Sequence, residues 1–126
     1  MTLQLGRVKS AVMTADGKLL DGNLLSVTFV GTADSETRAD MESFVKKVHD
    51  EAVRLSAPEV IVDFRELEFM NSSCFKIFVA WLAQLRDLDA ATQYKIQIVS
   101  NPNLLWQRRS LAALSCFAVD LVTIET

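Results

Sequence analysis

The sequence predicts an α/β fold: a mixed, mostly parallel sheet of four to five strands with about three to four helices, in the order β-β-α-β-α-β-α-β, in a single domain spanning 1–126. Three observations carry that expectation. Turn chemistry is concentrated at the start, because all four glycines (Gly6, Gly17, Gly22 and Gly31) fall within the first 31 residues. Beyond them, short β-branched runs alternate with stretches whose apolar residues recur at helical spacing. No repeat, low-complexity segment or linker divides the chain, and its 126 residues match the commonest domain size. Alternating strands and helices favour parallel pairing through right-handed crossovers, and an opening hairpin adds an antiparallel edge.

The elements follow in order. Leu3 to Met13 reads as a strand, and Asp16-Gly17 and Asp21-Gly22 are hairpin-type dipeptides. Leu25, Val27 and Phe29 alternate with Ser26 and Thr28, the period of a half-buried strand. Asp34 and Ser35 offer a cap for a first helix, whose buried stripe is Met41, Phe44, Val45, Val48, Ala52 and Leu55. Lys46, Lys47, Asp50 and Glu51 lie between those positions, and Pro58 lies just past the helix end. Val60-Ile61-Val62 reads as a central strand covered on both faces. A turn is expected over Arg65 to Phe69, then a second helix opened by Asn71, Ser72 and Ser73 and running to about Asp87. Tyr94 to Val99 is a further core strand. Asn101-Pro102-Asn103 opens a third helix to about Leu114, and Val119 to Ile124 closes the sheet.

Composition excludes several classes of function. Hydrophobic residues make up 50% and charged residues 23%, as in an ordinary globular domain. A chain of this length buries roughly two thirds of its unfolded surface, enough for a core without staples. Thirteen Lys and Arg against sixteen Asp and Glu give a net charge of -3, so no basic footprint marks a nucleic-acid partner. Lys46-Lys47 and Arg108-Arg109 read as solvated helix faces. The longest nearly apolar stretch, Phe75 to Leu85, contains Lys76 and Gln84 and falls short of the ~20 residues of a membrane span. Met1 to Arg7 lacks the apolar run of a signal peptide, and a cytoplasmic location is expected. Cys74 and Cys116 each lie between a serine and a phenylalanine, which predicts partly or fully buried reduced thiols.

Catalytic machinery is hard to assemble from these residues. No glycine follows Gly31, so no later strand-to-helix turn can form a Walker loop or a dinucleotide fingerprint. His49 is the only histidine, and it falls beside the buried stripe of the first helix as a surface or boundary residue. No Gly-x-Ser-x-Gly elbow is present. One histidine and two separated cysteines do not make a zinc site. The expectation is a non-enzyme with no cofactor and no metal.

The most informative segment runs from Val60 to Phe75. It is a buried strand, a short turn and a helix opened by small polar residues, and in α/β sheets ligands are met at such strand-to-helix junctions. Two readings fit. In one, Asn71 or Ser72 merely caps the helix and Ser73 adds polarity to its first turn. In the other, one hydroxyl accepts a phosphoryl group. The added charge of about -1.5 to -2 would be favourable at a helix N-terminus by roughly 0.3–1 kcal/mol, while a docked partner would have to desolvate it. A third reading, Ser72 as a nucleophile, lacks a base. The second helix is apolar nearly all round from Phe75 to Leu85, so its outer side is covered by a neighbouring helix or forms a docking patch with Trp81 as anchor.

At this junction the chain resembles the STAS family, the domain of anti-sigma factor antagonists, over about residues 24 to 124. The family pattern is an apolar strand, a short connection and Asp-Ser-Ser/Thr-Gly opening a helix. Here Val60-Ile61-Val62-Asp63 is the strand, and Asn71-Ser72-Ser73-Cys74 occupies the motif. Gly31 and the helix around Thr37 to Leu55 resemble the family's glycine-terminated strand and first helix. Asn71 stands where the family has Asp, and Cys74 where it has Gly. The resemblance implies a phosphorylation-controlled partner switch. The unmodified domain binds an anti-sigma factor of histidine-kinase-like fold, that serine kinase modifies the motif and ends the binding, and a phosphatase resets it. It assigns phosphorylation to Ser72, with Ser73 as backup, and a flanking place to Asp63; partner contact is expected at Asn71, Ser72, Ser73, Lys76 and Trp81. The alternative is a STAS-like scaffold that binds its partner constitutively and is not phosphorylated.

Overall fold

The computed structural model describes residues 8–9 and 12–125. Its strands are β1 (Val8–Lys9), β2 (Met13–Leu20), β3 (Leu24–Ala33), β4 (Glu59–Met70), β5 (Lys95–Val99) and β6 (Val122–Glu125). Its helices are α1 (Arg38–Arg54), α2 (Ser72–Arg86) and α3 (Leu105–Phe117). The spatial order of the strands is their chain order, β1-β2-β3-β4-β5-β6. β1, β2 and β3 pair antiparallel, and β3, β4, β5 and β6 pair parallel. The predicted class and element order hold; counting the two-residue β1, the sheet has six strands. Most of the strand expected over 3–13 lies outside the described residues.

Consecutive right-handed crossovers that each step one strand in the same direction place their helices on one face of a sheet. That is the arrangement here. The Phe29 ring meets Phe44 of α1 and Phe78 of α2, and the Phe64 ring meets Phe78 and Trp106 of α3, with centroids 5.3–6.3 Å apart. Leu25, Val27, Val60, Val62, Ile96 and Ile98 complete this inner face and are buried. Their alternates Ser26, Thr28, Ile61, Asp63, Gln97 and Val99 are only half-buried. The expectation that Val60-Ile61-Val62 is covered on both faces is therefore corrected: one face is covered, and Ile61 is the apolar residue on the other.

Several boundaries also differ. Asp16-Gly17 makes no turn; it lies inside β2, paired with Thr28 and Val27. The reversal falls on Asp21-Gly22-Asn23, where Gly22 (φ 79°) and Asn23 (φ 62°) take the left-handed conformation that a tight turn needs. Gly31 (φ 102°) admits the close approach of β2's start, because a Cβ there would lie 2.1 Å from the Val12 carbonyl oxygen. The first helix begins at Arg38 because Asp34 and Thr37 together form the turn before it. The third helix continues to Phe117, which leaves Cys116 exposed, so only Cys74 meets the expectation of burial.

The largest difference concerns Arg65 to Phe69, which is strand and not turn. β4 runs unbroken to Met70. Its buried positions change from every second residue (Val60, Val62, Phe64) to every third (Phe64, Leu67, Met70), where the register against β3 shifts. Such bulges leave carbonyls off the ladder. Gln107 of α3 satisfies two of them: its Nε2 donates to the Phe64 oxygen (2.6 Å) and the Leu67 oxygen (3.1 Å). Its Oε1 accepts from the Asn101 amide at 2.8 Å. Trp106 Nε1 also donates to the Leu67 oxygen and Asn101 Nδ2 to the Arg65 oxygen, so the irregular end of β4, which delivers the chain to Asn71, is held by side chains of α3 and the turn before it.

Candidate functional site

Asn71 takes extended backbone angles and caps α2, its Oδ1 accepting from the Cys74 amide at 2.9 Å. The same oxygen accepts from the Ser73 hydroxyl at 3.0 Å. Asn71 is itself anchored, since its amide donates to the Ala33 carbonyl at the end of β3. Ser72 is the first helical residue and is exposed, and its hydroxyl has no hydrogen-bond partner among the described residues. The cap is complete without it. Ser73 is half-buried and engaged by the cap.

The helix behind this tip is held by packing. Cys74, Ile77, Phe78, Trp81, Leu82 and Leu85 are buried at positions that recur every three to four residues. Burying a large apolar side chain is worth about 1.5–3 kcal/mol, against ~1 kcal/mol for a cap. The position of Ser72 is therefore set by the core. Cys74 points inward and is fully buried, with its Sγ 3.4 Å from the Asp34 carbonyl. The side chain that replaces the motif's glycine thus adds no bulk over Ser72. Burial pushes its thiol pKa up, and Arg38, near enough to act on it, pulls the other way. The amino ends of α1 and α2 consequently adjoin.

Two expected site residues are corrected. Trp81 is not an exposed anchor; it is 3% exposed, and its Nε1 donates to the Tyr94 hydroxyl at 2.6 Å. The apolar outer side of α2 is covered instead: Phe75 and Val79 pack against the core, and only Lys76, Ala80 and Gln84 among 75–85 are exposed. Asp63 does not flank Ser72 either. It pairs with Thr28, while Met70 pairs with Ala33, five residues further along β3. At ~3.3 Å per residue that is roughly 16 Å. Asp63 lies opposite Val99 at the end of β5 and is bound by Arg65 at 2.8 Å, a hydrogen-bonded guanidinium that holds its carboxyl below the usual carboxylate range.

Lys76 is exposed one turn after Ser72, on the same side of α2. Sequence reasoning missed Phe69. Placed in a turn, it carried no meaning; as the penultimate residue of β4 it is a 48%-exposed aromatic three residues before Ser72. No grouping of three or more His, Cys, Asp or Glu among the described residues could hold a metal ion. No helix among them is long and apolar enough to cross a membrane.

A two-layer α/β domain with an antiparallel opening, three parallel crossovers on one face and an Asn-Ser-Ser tip on the middle helix has the architecture of a STAS-like domain. Two solved structures share it. One is the crystal structure of an anti-sigma factor antagonist from Mycobacterium paratuberculosis, 21% identical, with 90% of this chain and 85% of that chain aligned at a TM-score of 0.65. The other is the anti-sigma factor antagonist SpoIIAA in its unphosphorylated form, 15% identical, with 89% and 88% aligned at a TM-score of 0.60. No family model and no curated protein matches the chain.

Proposed function

We propose that this domain is a regulatory protein-binding module of the anti-sigma factor antagonist type. It docks an anti-sigma factor, a serine kinase of histidine-kinase-like fold, through the amino end of α2, and phosphorylation of Ser72 ends the docking. One observation carries the reading: Ser72 offers an exposed, unengaged hydroxyl on a helix whose cap Asn71 already supplies. Free backbone amides at a helix start favour added negative charge, so the modified domain keeps its fold. A partner seated over Ser72 would bury the new charge unpaired, and binding fails. The similarity to an antagonist described in its unphosphorylated form supports the same chemistry. Lys76, exposed one turn after Ser72, gives the partner a cationic contact on the same side of α2. A phosphatase returns the domain to its binding state. Nothing in this reading requires the domain to catalyse a reaction.

The test begins with the partner captured from the protein's own cell extract. By calorimetry, Ser72→Asp weakens its binding by about 1–3 kcal/mol, the scale of an uncompensated buried polar or charged group. Ser72→Ala binds and resists modification. Equal affinity of Ser72→Asp and the parent would leave constitutive scaffolding as the function.

A further inference from the structure

The Tyr94 hydroxyl is buried between α1 and α2, on the residue just before β5. It lies 2.6 Å from Trp81 Nε1 and 2.7 Å from His49 Nδ1. An indole N–H can only donate. The Tyr94 oxygen is therefore the acceptor from Trp81, and its own proton points to the other neighbour, His49. We infer that His49 is held as the neutral imidazole with its proton on Nε2, and that the Trp81-to-Tyr94-to-His49 chain is a proton-sensitive clasp between α1, α2 and β5.

Protonation of His49 turns Nδ1 into a donor. Two donors then face one phenolic oxygen, and the Tyr94 proton loses its acceptor in a buried site. That loss disfavours the charged ring. Of the charged groups nearby on α1, Asp50, next in the chain, favours the imidazolium, and Lys46 lies exposed one turn earlier. α2 contributes Trp81, which carries no charge, and the strand side contributes Tyr94, whose burial keeps it protonated. Burial of the His49 ring outweighs Asp50 and lowers its pKa. The sign follows by linkage. The unfolded chain takes up the proton first, near the ordinary histidine value of about 6.5. The clasp's stabilisation is complete above that pH and is lost progressively as pH falls to His49's own midpoint.

The single histidine makes the test direct. In long-range ¹H–¹⁵N spectra of the intact protein, His49 should appear as the Nε2–H tautomer, with a titration midpoint below about 6.5. Tyr94→Phe, which removes the proton donor, should raise that midpoint. Trp81→Phe should raise it too, by freeing the phenolic oxygen to accept from the imidazolium. The urea midpoint of the parent should fall between pH 7.5 and 5, and His49→Gln should flatten that fall. An Nδ1–H tautomer, a parent midpoint at or above 6.5, or an unmoved midpoint in whichever of the two variants folds, would overturn the inference.

Discussion

Two helix starts in this molecule carry hydroxyls and put them to opposite uses. At the start of α1, Thr37 is 2% exposed. Its Oγ1 accepts from the Asp34 amide at 2.9 Å and donates back to the Asp34 carbonyl at 3.1 Å. That hydroxyl is part of the fold. At the start of α2 the side chain that bonds the backbone is Asn71, and the Ser72 hydroxyl is left facing solvent. The two ends adjoin through the contact of Cys74 with Asp34, so the difference does not come from their location. It comes from which side chains bond the backbone at each start: Thr37 with Asp34 before α1, Asn71 alone before α2. A hydroxyl becomes available for chemistry where a neighbour has already satisfied the backbone.

Substitutions rank this contrast. The largest effect on stability should come from Thr37→Val, which takes the buried Thr37 hydroxyl away from the half-buried Asp34 amide and carbonyl and should cost about 1–3 kcal/mol in urea denaturation. Asn71→Ala should follow at about 1 kcal/mol, the usual worth of a cap. It should also loosen Ser73, which hydrogen exchange at the first turn of α2 would register. Ser73→Ala removes one half-buried bond to an oxygen that keeps its other donor, and should cost about 0.5 kcal/mol. Ser72→Ala should change stability least, within about 0.5 kcal/mol. A cost for Ser72→Ala as large as that for Thr37→Val would erase the distinction.

The sequence shows one of these helix starts more clearly than the other. Asn71-Ser72-Ser73 is a local capping signal beside a strongly apolar helix, and both the helix and its first residue lie where that signal puts them. The stripe from Met41 to Leu55 is equally local and equally legible. Thr37 is not, since its role depends on a turn closed by Asp34 three residues away. The polar residues Arg65, Glu66 and Glu68 read as a turn because the glutamine that sustains β4 lies some forty residues later, at Gln107. Trp81 reads as a docking anchor because its hydrogen-bond partner, Tyr94, comes from another element. The misplacement of Asp63 follows from the same missed strand: a continuous β4 carries Met70, just before the start of α2, roughly 16 Å away from it. Local signals survive in sequence, and contacts made across the fold do not.

The most direct measurement is to incubate the protein with ATP and the kinase that co-purifies with it, separate bound from released material, and map the modified residue by tandem mass spectrometry. The released fraction should carry one phosphoryl group on Ser72, with Thr37 unmodified and the bound fraction free of phosphate. A released fraction without phosphate on Ser72 would contradict the account.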